Sequence, residues 1–191
     1  LGLGDLLHAP TDSGIALRGG RAMLTAGFQR VGWQDMTEVD RQYPVLLQSY
    51  ATDISSLTVF YPGALAAVAT LRKAGYVVSI CTNKPEALAV QLLKALGATD
   101  AFDALVGADT LPVRKPDPAP LWAAVDRAGG DRSRVCLIGD TITDRNTAAN
   151  ADVPSVLVTF GPSGGDMAAL SPDAMLQDFA DLPELVVKLI G

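Results

Sequence analysis

The sequence predicts an α/β fold, in which helices cover a parallel sheet and a small helical unit precedes it. Three observations support this prediction. From Phe60 onward, apolar segments of strand length alternate with segments of helical periodicity, as in parallel sheets built from crossover connections. Residues 1–60 contain no period-two stretch and show helical spacing instead. Hydrophobic residues make up 49% of the chain, which is enough apolar material for a core.

Residues 1–60 are predicted to form a helical unit. Apolar side chains recur at helical spacing over residues 21–31 and again over residues 35–50. Pro44 falls inside the second segment, and we expect it to kink or split that helix because it lacks a backbone N–H. The expected organisation is therefore a helical unit at 1–60 and an α/β unit at 61–191.

The α/β unit is predicted to alternate strands with helices. Pro85 opens one helix and Asp117 caps another, while Gly75, Gly97 and Gly129 follow helix ends. The expected strands are 76–81, 104–106, 135–138, 155–160 and 174–176, and the expected helices are 64–73, 85–96, 118–128, 144–151 and 183–190.

Composition excludes several classes of function. The formal net charge of -6 and a pI near 4.6 argue against nucleic-acid binding, which usually needs a basic surface. No apolar stretch approaches the roughly 20 residues of a membrane span, so we expect a soluble protein with no membrane partner. Cys81 and Cys136 fall in predicted buried strands, where a free thiol acts as a small hydrophobe. No signal-peptide pattern is visible in the sequence, and we expect the protein in the cytoplasm.

Asp140 and Asp144 follow the predicted strand 135–138 directly. Ligands of open α/β sheets lie beyond the carboxyl ends of the strands, so Asp140 stands at a favourable position for chemistry. Asp144 lies one helical turn later and can face the same site. Two carboxylates suit Mg²⁺ better than zinc. A helix cap formed by Thr143 or Asp144 explains the same residues equally well.

Thr82 and Asn83 follow the predicted strand 76–81 and precede a helix. A hydroxyl and free backbone N–H groups at such a place can donate to phosphate oxygens. An ordinary helix cap is the alternative. Downstream, four prolines stiffen residues 112–120 around Lys115. Lys115 is thus a candidate to neutralise a phosphate, and a solvated surface lysine is the alternative.

Taken together, these segments resemble the haloacid-dehalogenase-like superfamily of phosphohydrolases. The resemblance rests on Thr82-Asn83, on Lys115-Pro116-Asp117-Pro118, and on Gly139-Asp140 with Asp144, in that order. Within the superfamily, the segments 81–85, 107–110 and 114–120 are similar to phosphoglycolate phosphatases. The similarity covers roughly residues 60–190 and extends weakly to residues 19–23, which resemble a loop at the start of a cap helix.

The resemblance implies a Rossmann-like core with a small helical cap and a small phosphorylated metabolite, such as 2-phosphoglycolate, as substrate. An Asp nucleophile would form an aspartyl-phosphate that water hydrolyses. Asp140 would bind Mg²⁺ directly. Asp144 would bind it through a water molecule, or would contact one of its ligands without binding the metal itself. Thr82 and the Asn83 backbone would hold the phosphoryl oxygens, and Lys115 would pair with both phosphate and nucleophile.

The predicted cap, residues 1–60, would exclude water and recognise the substrate. Gly20 and Arg21 are expected to contact the substrate, and Arg18 and Arg21 are candidates to bind a substrate carboxylate. A solvated arginine is the alternative for either one.

One motif of the resembling family has no counterpart. Its Asp-x-Asp-x-Thr follows the first, central strand, whereas Asp5 and Asp12 have neither such a strand nor this spacing. A strand, a turn and a first cap helix would require roughly 30 further residues. We therefore expect that the chain is given without its beginning and that these 191 residues alone are inactive.

Several other activities are alternatives to hydrolysis of a phosphate monoester. A phosphonatase would need a cap lysine, and residues 1–72 contain none. A haloacid dehalogenase works without a metal, which makes the Asp140 and Asp144 pair less expected. A sugar phosphomutase and a non-catalytic module that binds a phosphoanion or a partner both remain open.

Overall fold

A computed structural model describes residues 4–8, 11–16, 19–33, 35–161 and 164–191. The chain divides into two compact units, Leu1–Ser56 and Leu57–Gly191.

The first unit is helical. It contains α1 (Ser13–Ala16), α2 (Gly20–Arg30) and α3 (Met36–Thr52). Asp35 caps α3, because its carboxylate accepts a hydrogen bond from the Thr37 backbone N–H at 2.9 Å. Helix α3 runs through Pro44 without interruption, so Pro44 does not split it, and the kink stays a prediction. Proline removes a single N–H donor, and this 17-residue helix retains the others on both sides.

The buried carboxylate of Asp12 links the segment before α2 to that helix. The Arg30 guanidinium donates to both oxygens of Asp12, at 2.5 and 2.7 Å, and also to the Leu6 carbonyl. The His8 backbone N–H donates to Asp12 at 2.6 Å. These donors hold the pKa of the Asp12 carboxyl well below its usual range. A bidentate pair of this kind fixes orientation as well as position.

The second unit has the predicted mixture of parallel strands and helices, and the α/β fold class is confirmed. Its strands are β1 (Ser79–Cys81), β2 (Ala104–Val106), β3 (Leu137–Gly139), β4 (Ser155–Val158) and β5 (Ala174–Leu176). Its α-helices are α4 (Ala64–Lys73), α5 (Glu86–Ala95), α6 (Ala119–Arg127), α7 (Ile142–Asn150) and α8 (Leu182–Ile190). Short 3₁₀ turns span Thr99–Ala101, Gly164–Leu170 and Phe179–Asp181.

The strands form two parallel sheets. One sheet pairs β1 with β2, and the other has the order β3-β4-β5. Within the described ranges no hydrogen-bonded pairing joins β1 to β3. Three strands are shorter than the sequence predicted: β1 begins at Ser79, β3 begins at Leu137 and β4 ends at Val158. The hydrogen bonds of a strand form only where another strand lies alongside it. The apolar segments of the sequence extend beyond those paired residues, so the prediction made the strands too long.

Helices cover both faces of the larger sheet. Strand β4 is buried along its whole length, and Val156 and Leu157 have no solvent exposure. Apolar side chains of α4 and α8 form one cluster with β4 and β5, namely Ala67, Leu71, Leu182, Val186, Val156, Val158 and Leu176. On β3, Leu137 packs with Leu121 of α6 and Ala148 of α7. Burial on both faces explains why these strands are continuously apolar.

We expect replacement of Leu157 by alanine to lower the free energy of unfolding by about 2–5 kcal/mol, since it leaves a cavity in a packed core. Urea denaturation of Leu157→Ala against the unmodified chain measures this effect. Val187→Ala on α8, where the side chain is 54% exposed, is the matched control. Equal losses in the two variants would contradict the assignment of β4 to the core.

Asp173 ties the start of β4 to the segment before β5. Its Oδ2 accepts from the Ser155 backbone N–H at 2.8 Å and from Ser155 Oγ at 2.9 Å. These two hydrogen bonds lower the pKa of the Asp173 carboxyl. The charged form therefore stabilises the fold above the pKa of an unfolded aspartate, and this stabilisation is lost as the pH falls through the lowered native value.

Asp173→Asn should accordingly be less stable than the unmodified chain at pH 7, and the difference should shrink as the pH falls below about 4. Urea unfolding at pH 7 and again below about pH 4 tests this, with Asp5→Asn as an exposed control. A difference that stays constant with pH would show that the charge of Asp173 is not the cause.

Candidate active site

Lys115 and Asp144 form a buried ion pair beyond the carboxyl ends of the strands. Lys115 Nζ lies 2.6 Å from Asp144 Oδ1, and the two side chains are 10% and 9% exposed. Isolated charges at such depth are costly, so each carboxylate or ammonium needs a partner. Lys115 is therefore not a solvated surface lysine.

Asp144 also belongs to the cap of α7. Its Oδ2 accepts from Thr141 Oγ1 at 2.6 Å and from the backbone N–H groups of Asp140 and Thr141 at 3.3 and 3.2 Å. The N-cap residue is Thr141, whose Oγ1 accepts from the Asp144 N–H at 3.3 Å, which completes a capping box. Sequence reasoning considered Thr143 or Asp144 as the cap and missed Thr141, although a threonine three residues before an acidic residue is the usual signal.

Gly139 and Gly161 leave room for the side chains of Asp144 and Asp140. A Cβ added at Gly139 would lie 2.3 Å from the Cβ of Asp144, and one at Gly161 would lie 3.0 Å from the Cβ of Asp140. Gly161 was not predicted as a site residue, and a glycine shortly after a buried strand was its available signal. Glycine at both positions keeps the ends of β3 and β4 open to the carboxylates.

Asp140 lies next to the Lys115–Asp144 pair, close enough for both charges to act on its carboxyl. Burial raises the pKa of its carboxyl, and the charge of Asp144 raises it further, while Lys115 acts in the opposite direction. A positive charge near Asp140 would relieve this penalty, and its carboxylate oxygens suit a hard divalent cation. Among the residues that the structure covers, no three acidic, His or Cys side chains converge on one point. The metal-binding roles of Asp140 and Asp144 stay predictions.

Asn83 connects the loop after β1 to the Lys115 loop. Its Nδ2 donates to the Lys115 carbonyl at 3.1 Å. Its Oδ1 is buried, and no described residue donates to it. Asn150 at the end of α7 holds the next residue, because its Nδ2 donates to the Pro116 carbonyl at 2.9 Å. The Lys115 loop is thus fixed from two sides, and sequence reasoning did not identify Asn150.

Thr82 lies beside Asn83 with its hydroxyl turned to the following backbone. Its Oγ1 accepts from the Lys84 N–H at 3.1 Å, and its own N–H donates to the Val106 carbonyl at 2.9 Å. The first turn of α5 is capped elsewhere, because the Glu86 N–H donates to Asp109 at 2.7 Å. Neither Thr82 nor Asn83 therefore caps α5, and the hydroxyl proton of Thr82 stays free to donate. Its role toward phosphate stays a prediction.

Hydrogen bonds from the segment 107–110 stabilise the loop between β1 and α5. Ala108 N–H donates to the Lys84 carbonyl at 2.9 Å, and Thr110 Oγ1 both accepts from the Gly107 N–H and donates to the Glu86 carboxylate. A Cβ at Gly107 would lie 2.4 Å from the Glu86 nitrogen, so this close approach requires glycine.

The two residues predicted to contact substrate from the cap, Gly20 and Arg21, belong to the helical unit Leu1–Ser56. Arg21 pairs with Asp40 at 2.5 Å, and its guanidinium lies 4.7 Å from the centre of the Tyr43 ring. Gly20 begins α2, and a Cβ there would lie 2.8 Å from a methyl group of Leu46. Arg18 lies outside the described residues. The proposed contacts of Gly20 and Arg21 with substrate stay predictions.

Most of the chain matches a known protein family. Residues 23–158 match the family model described as haloacid dehalogenase-like hydrolase. The chain belongs to the haloacid dehalogenase-like hydrolases. This finding confirms the resemblance drawn from Thr82-Asn83, Lys115 and Gly139-Asp140.

Several members of this family are similar over most of the chain. A phosphoglycolate phosphatase from Mesorhizobium japonicum is 40% identical over 90% of this chain and 77% of its own length. One from Agrobacterium fabrum is 38% identical over 98% of this chain and 78% of its own length.

A solved structure shares the fold. The crystal structure of a predicted phosphoglycolate phosphatase from Haemophilus somnus superposes with a TM-score of 0.75 at 23% identity, over 90% of this chain and 79% of that one. The similarity supports the Rossmann-like core. No helix in the described part of the chain is long and apolar enough to cross a membrane.

Lys115→Met should destabilise the chain by about 3–5 kcal/mol, because it leaves the Asp144 charge buried without its partner. Urea unfolding at pH 7 measures the loss, and Lys94→Met on the exposed side of α5 is the control. In a double-mutant cycle with Asp144→Asn, the two changes together should cost less than the sum of the single changes. Strict additivity would show that the pair does not stabilise the fold.

Proposed function

We propose that this haloacid dehalogenase-like hydrolase cleaves small phosphate monoesters, with 2-phosphoglycolate as the first candidate, in a Mg²⁺-dependent reaction through an aspartyl-phosphate. The observation that carries this proposal is the buried Lys115, held by Asp144 beside Asp140 at the carboxyl ends of the strands. A fixed positive charge in a largely buried site is suited to stabilise a phosphoryl group in its transition state. The phosphoglycolate phosphatases that are about 40% identical support the choice of substrate.

Each residue of the site has a proposed task. Lys115 neutralises the phosphoryl oxygens, and Asn83 and Asn150 keep its loop in place through the two carbonyl hydrogen bonds. Thr82 Oγ1 and the Asn83 backbone N–H donate to the phosphoryl oxygens. Asp140 would hold Mg²⁺, which when bound adds charge stabilisation at the transferring phosphoryl group. Asp144 orients Lys115 and, with Thr141, fixes the turn that presents Asp140.

The attacking carboxylate is proposed to come from an Asp-x-Asp-x-Thr segment that is not part of these 191 residues. Asp144 is assigned to orienting Lys115 and to the cap of α7, because its two oxygens accept from Lys115 and Thr141. Asp140 is assigned to the metal. The 191 residues alone should therefore bind ligands without turnover.

The helical unit is proposed to act as a cap that recognises the non-phosphate part of the substrate. Arg21 supplies a guanidinium that could exchange its exposed Asp40 partner for a substrate carboxylate, because exposed ion pairs are weak. Gly20 would allow the backbone at the start of α2 to approach the ligand.

The direct test is a phosphatase assay on the full-length gene product, with Mg²⁺ and a panel of 2-phosphoglycolate, glycerol phosphate and glucose 1-phosphate. We expect 2-phosphoglycolate to be cleaved with the largest kcat/KM. Lys115→Met should lower kcat by at least about 100-fold, in line with the loss of one charge-stabilising group, and Lys188→Met on α8 should not. Isomerisation of the sugar phosphate would favour a phosphomutase. Phosphate binding with no turnover of any ester would favour a non-catalytic module.

The metal-binding role can be tested on the 191-residue chain itself. Calorimetric titration with Mg²⁺ in the presence of inorganic phosphate should show binding that Asp140→Asn abolishes and that the exposed control Asp117→Asn leaves intact. This comparison needs no turnover. Equal Mg²⁺ affinity in all three proteins would remove Asp140 from the metal site.

A further inference from the structure

Phe160 follows β4 at the edge of the sheet where the candidate active site lies. Strand β4 ends at Val158, and the next residue still pairs with β5, because the Thr159 backbone N–H donates to the Leu176 carbonyl at 2.9 Å. Phe160 comes directly after that hydrogen bond, and Gly161 comes directly after Phe160. The position of the Gly161 backbone therefore depends on how Phe160 is held.

Two other aromatic rings contact the ring of Phe160. The ring centres of Phe160 and Tyr61 lie 5.0 Å apart with an angle of 61° between the ring planes. The ring centres of Phe160 and Phe179 lie 5.2 Å apart with an angle of 56°. These are the separations and tilts that aromatic pairs prefer. Phe160 and Phe179 also pack against the apolar cluster that α4 and α8 form with β4 and β5. We call Tyr61, Phe160 and Phe179 the aromatic cluster.

The two partners of Phe160 are themselves held in place. Asp178 Oδ1 accepts from the Ala180 backbone N–H at 2.8 Å and so caps the 3₁₀ turn that carries Phe179. Gly63, two residues after Tyr61, has a φ of 77°, and a Cβ there would lie 3.4 Å from the Phe179 Cβ. This close approach brings the segment before α4 against the 3₁₀ turn. The aromatic cluster thus joins three separate segments of the second unit.

The backbone of Gly161 lies against the side chain of Asp140. A Cβ built at Gly161 would lie 3.0 Å from the Asp140 Cβ and 3.6 Å from Asp140 Oδ2. The φ of Gly161 is not in the left-handed region, so glycine is needed there for space and not for backbone conformation. The backbone at position 161 therefore limits where the Asp140 carboxylate can lie.

We propose that Phe160 is a positioning residue for Asp140 and that it acts through the backbone of Gly161. The aromatic cluster fixes Phe160, Phe160 fixes the backbone at position 161, and that backbone keeps the Asp140 carboxylate in the orientation that binds Mg²⁺. This inference rests on the proposed function, in which Asp140 holds the metal. Residues that orient a metal ligand without touching the metal contribute about 10–100-fold to metal affinity.

The experiment is a calorimetric titration of the full-length gene product with Mg²⁺ in the presence of inorganic phosphate. Phe160→Leu removes the ring but keeps an apolar side chain, and its Kd for Mg²⁺ should rise at least about tenfold. Tyr61→Leu should raise the Kd in the same direction, because it removes one of the two rings that hold Phe160. Tyr61→Phe keeps that ring and should bind Mg²⁺ like the unmodified protein. Equal Kd values for Tyr61→Leu and Tyr61→Phe would overturn the role of the aromatic cluster.

Phe102→Leu is the matched control for Phe160→Leu. Phe102 is a partly buried ring that precedes β2, at the end of the strand opposite to the candidate active site. The same substitution there should lower the Tm without changing the Kd for Mg²⁺, and thermal unfolding without Mg²⁺ records the loss of stability in both variants. An equal rise of the Kd in the two variants would show general destabilisation and would overturn the proposal.

The contact between Gly161 and Asp140 can be tested separately from the rings. Gly161→Ala adds a methyl group 3.0 Å from the Asp140 Cβ without straining the backbone, and it should raise the Kd for Mg²⁺ at least about tenfold. Gly14→Ala is the matched control, because nothing lies within 4 Å of a Cβ built there. An unchanged Kd in Gly161→Ala would overturn the proposed action through the backbone at position 161.

The dependence of turnover on Mg²⁺ separates a positioning role from a loss of structure. At low Mg²⁺ the Phe160→Leu variant should cleave 2-phosphoglycolate slowly, and saturating Mg²⁺ should restore its kcat with the KM for the ester unchanged. A loss of kcat that Mg²⁺ does not reverse would contradict the proposal.

Asp140→Asn in the same titration distinguishes the failure of this inference from the failure of the proposed function. If Asp140→Asn abolishes Mg²⁺ binding while Phe160→Leu leaves it unchanged, the positioning role is rejected and the metal-binding role of Asp140 is kept. If Asp140→Asn binds Mg²⁺ like the unmodified protein, the metal-binding part of the proposed function is rejected, and this inference is rejected with it.

Discussion

The buried Lys115–Asp144 pair is the constraint on which the rest of the site depends. Two opposite charges in a largely dry environment stabilise each other only at short range and in fixed geometry. The surrounding loops meet this requirement with directed hydrogen bonds. Asn83 and Asn150 bind the backbone on either side of the lysine, and Thr141 holds the second oxygen of the aspartate. Asp140 is left as the acidic group whose charge those contacts do not neutralise.

The same pair couples the two sheets. Lys115 stands on the loop between β2 and α6, whereas Asp144 stands on α7 after β3. No ladder hydrogen bonds connect β1 to β3 within the described residues, so side-chain contacts and shared helices align the carboxyl ends of the two sheets. The pair therefore has a structural function in addition to any chemical one, because it joins the two sheets of the core at the carboxyl ends of their strands.

Much of the fold and of the candidate site could be predicted from the sequence. Alternating apolar segments predicted the strands and helices, because burial of one face or both imposes their periods. The order of Thr82, Lys115, Asp140 and Asp144 predicted a common site, because parallel strands present their ends at one edge. The link from Thr110 to Glu86 and the early end of β4 were not predictable. Each depends on which distant segment lies alongside, and local periodicity carries no information about that.

The site requires an amide at position 83, and Asn83 meets this requirement through its N–H donor. Because the Lys115 carbonyl accepts a hydrogen bond from the side-chain N–H of Asn83, the amide nitrogen faces that carbonyl and the amide oxygen is buried on the other side. An aspartate in its place would set two acceptors against each other without changing the shape of the side chain. The exchange of the NH₂ group for oxygen, which is one outcome of spontaneous deamidation, would therefore remove one of the two side-chain hydrogen bonds that hold the lysine loop and leave the one from Asn150. The chemical ageing of a single amide is thus a route by which this site could lose part of its support while the core stays intact.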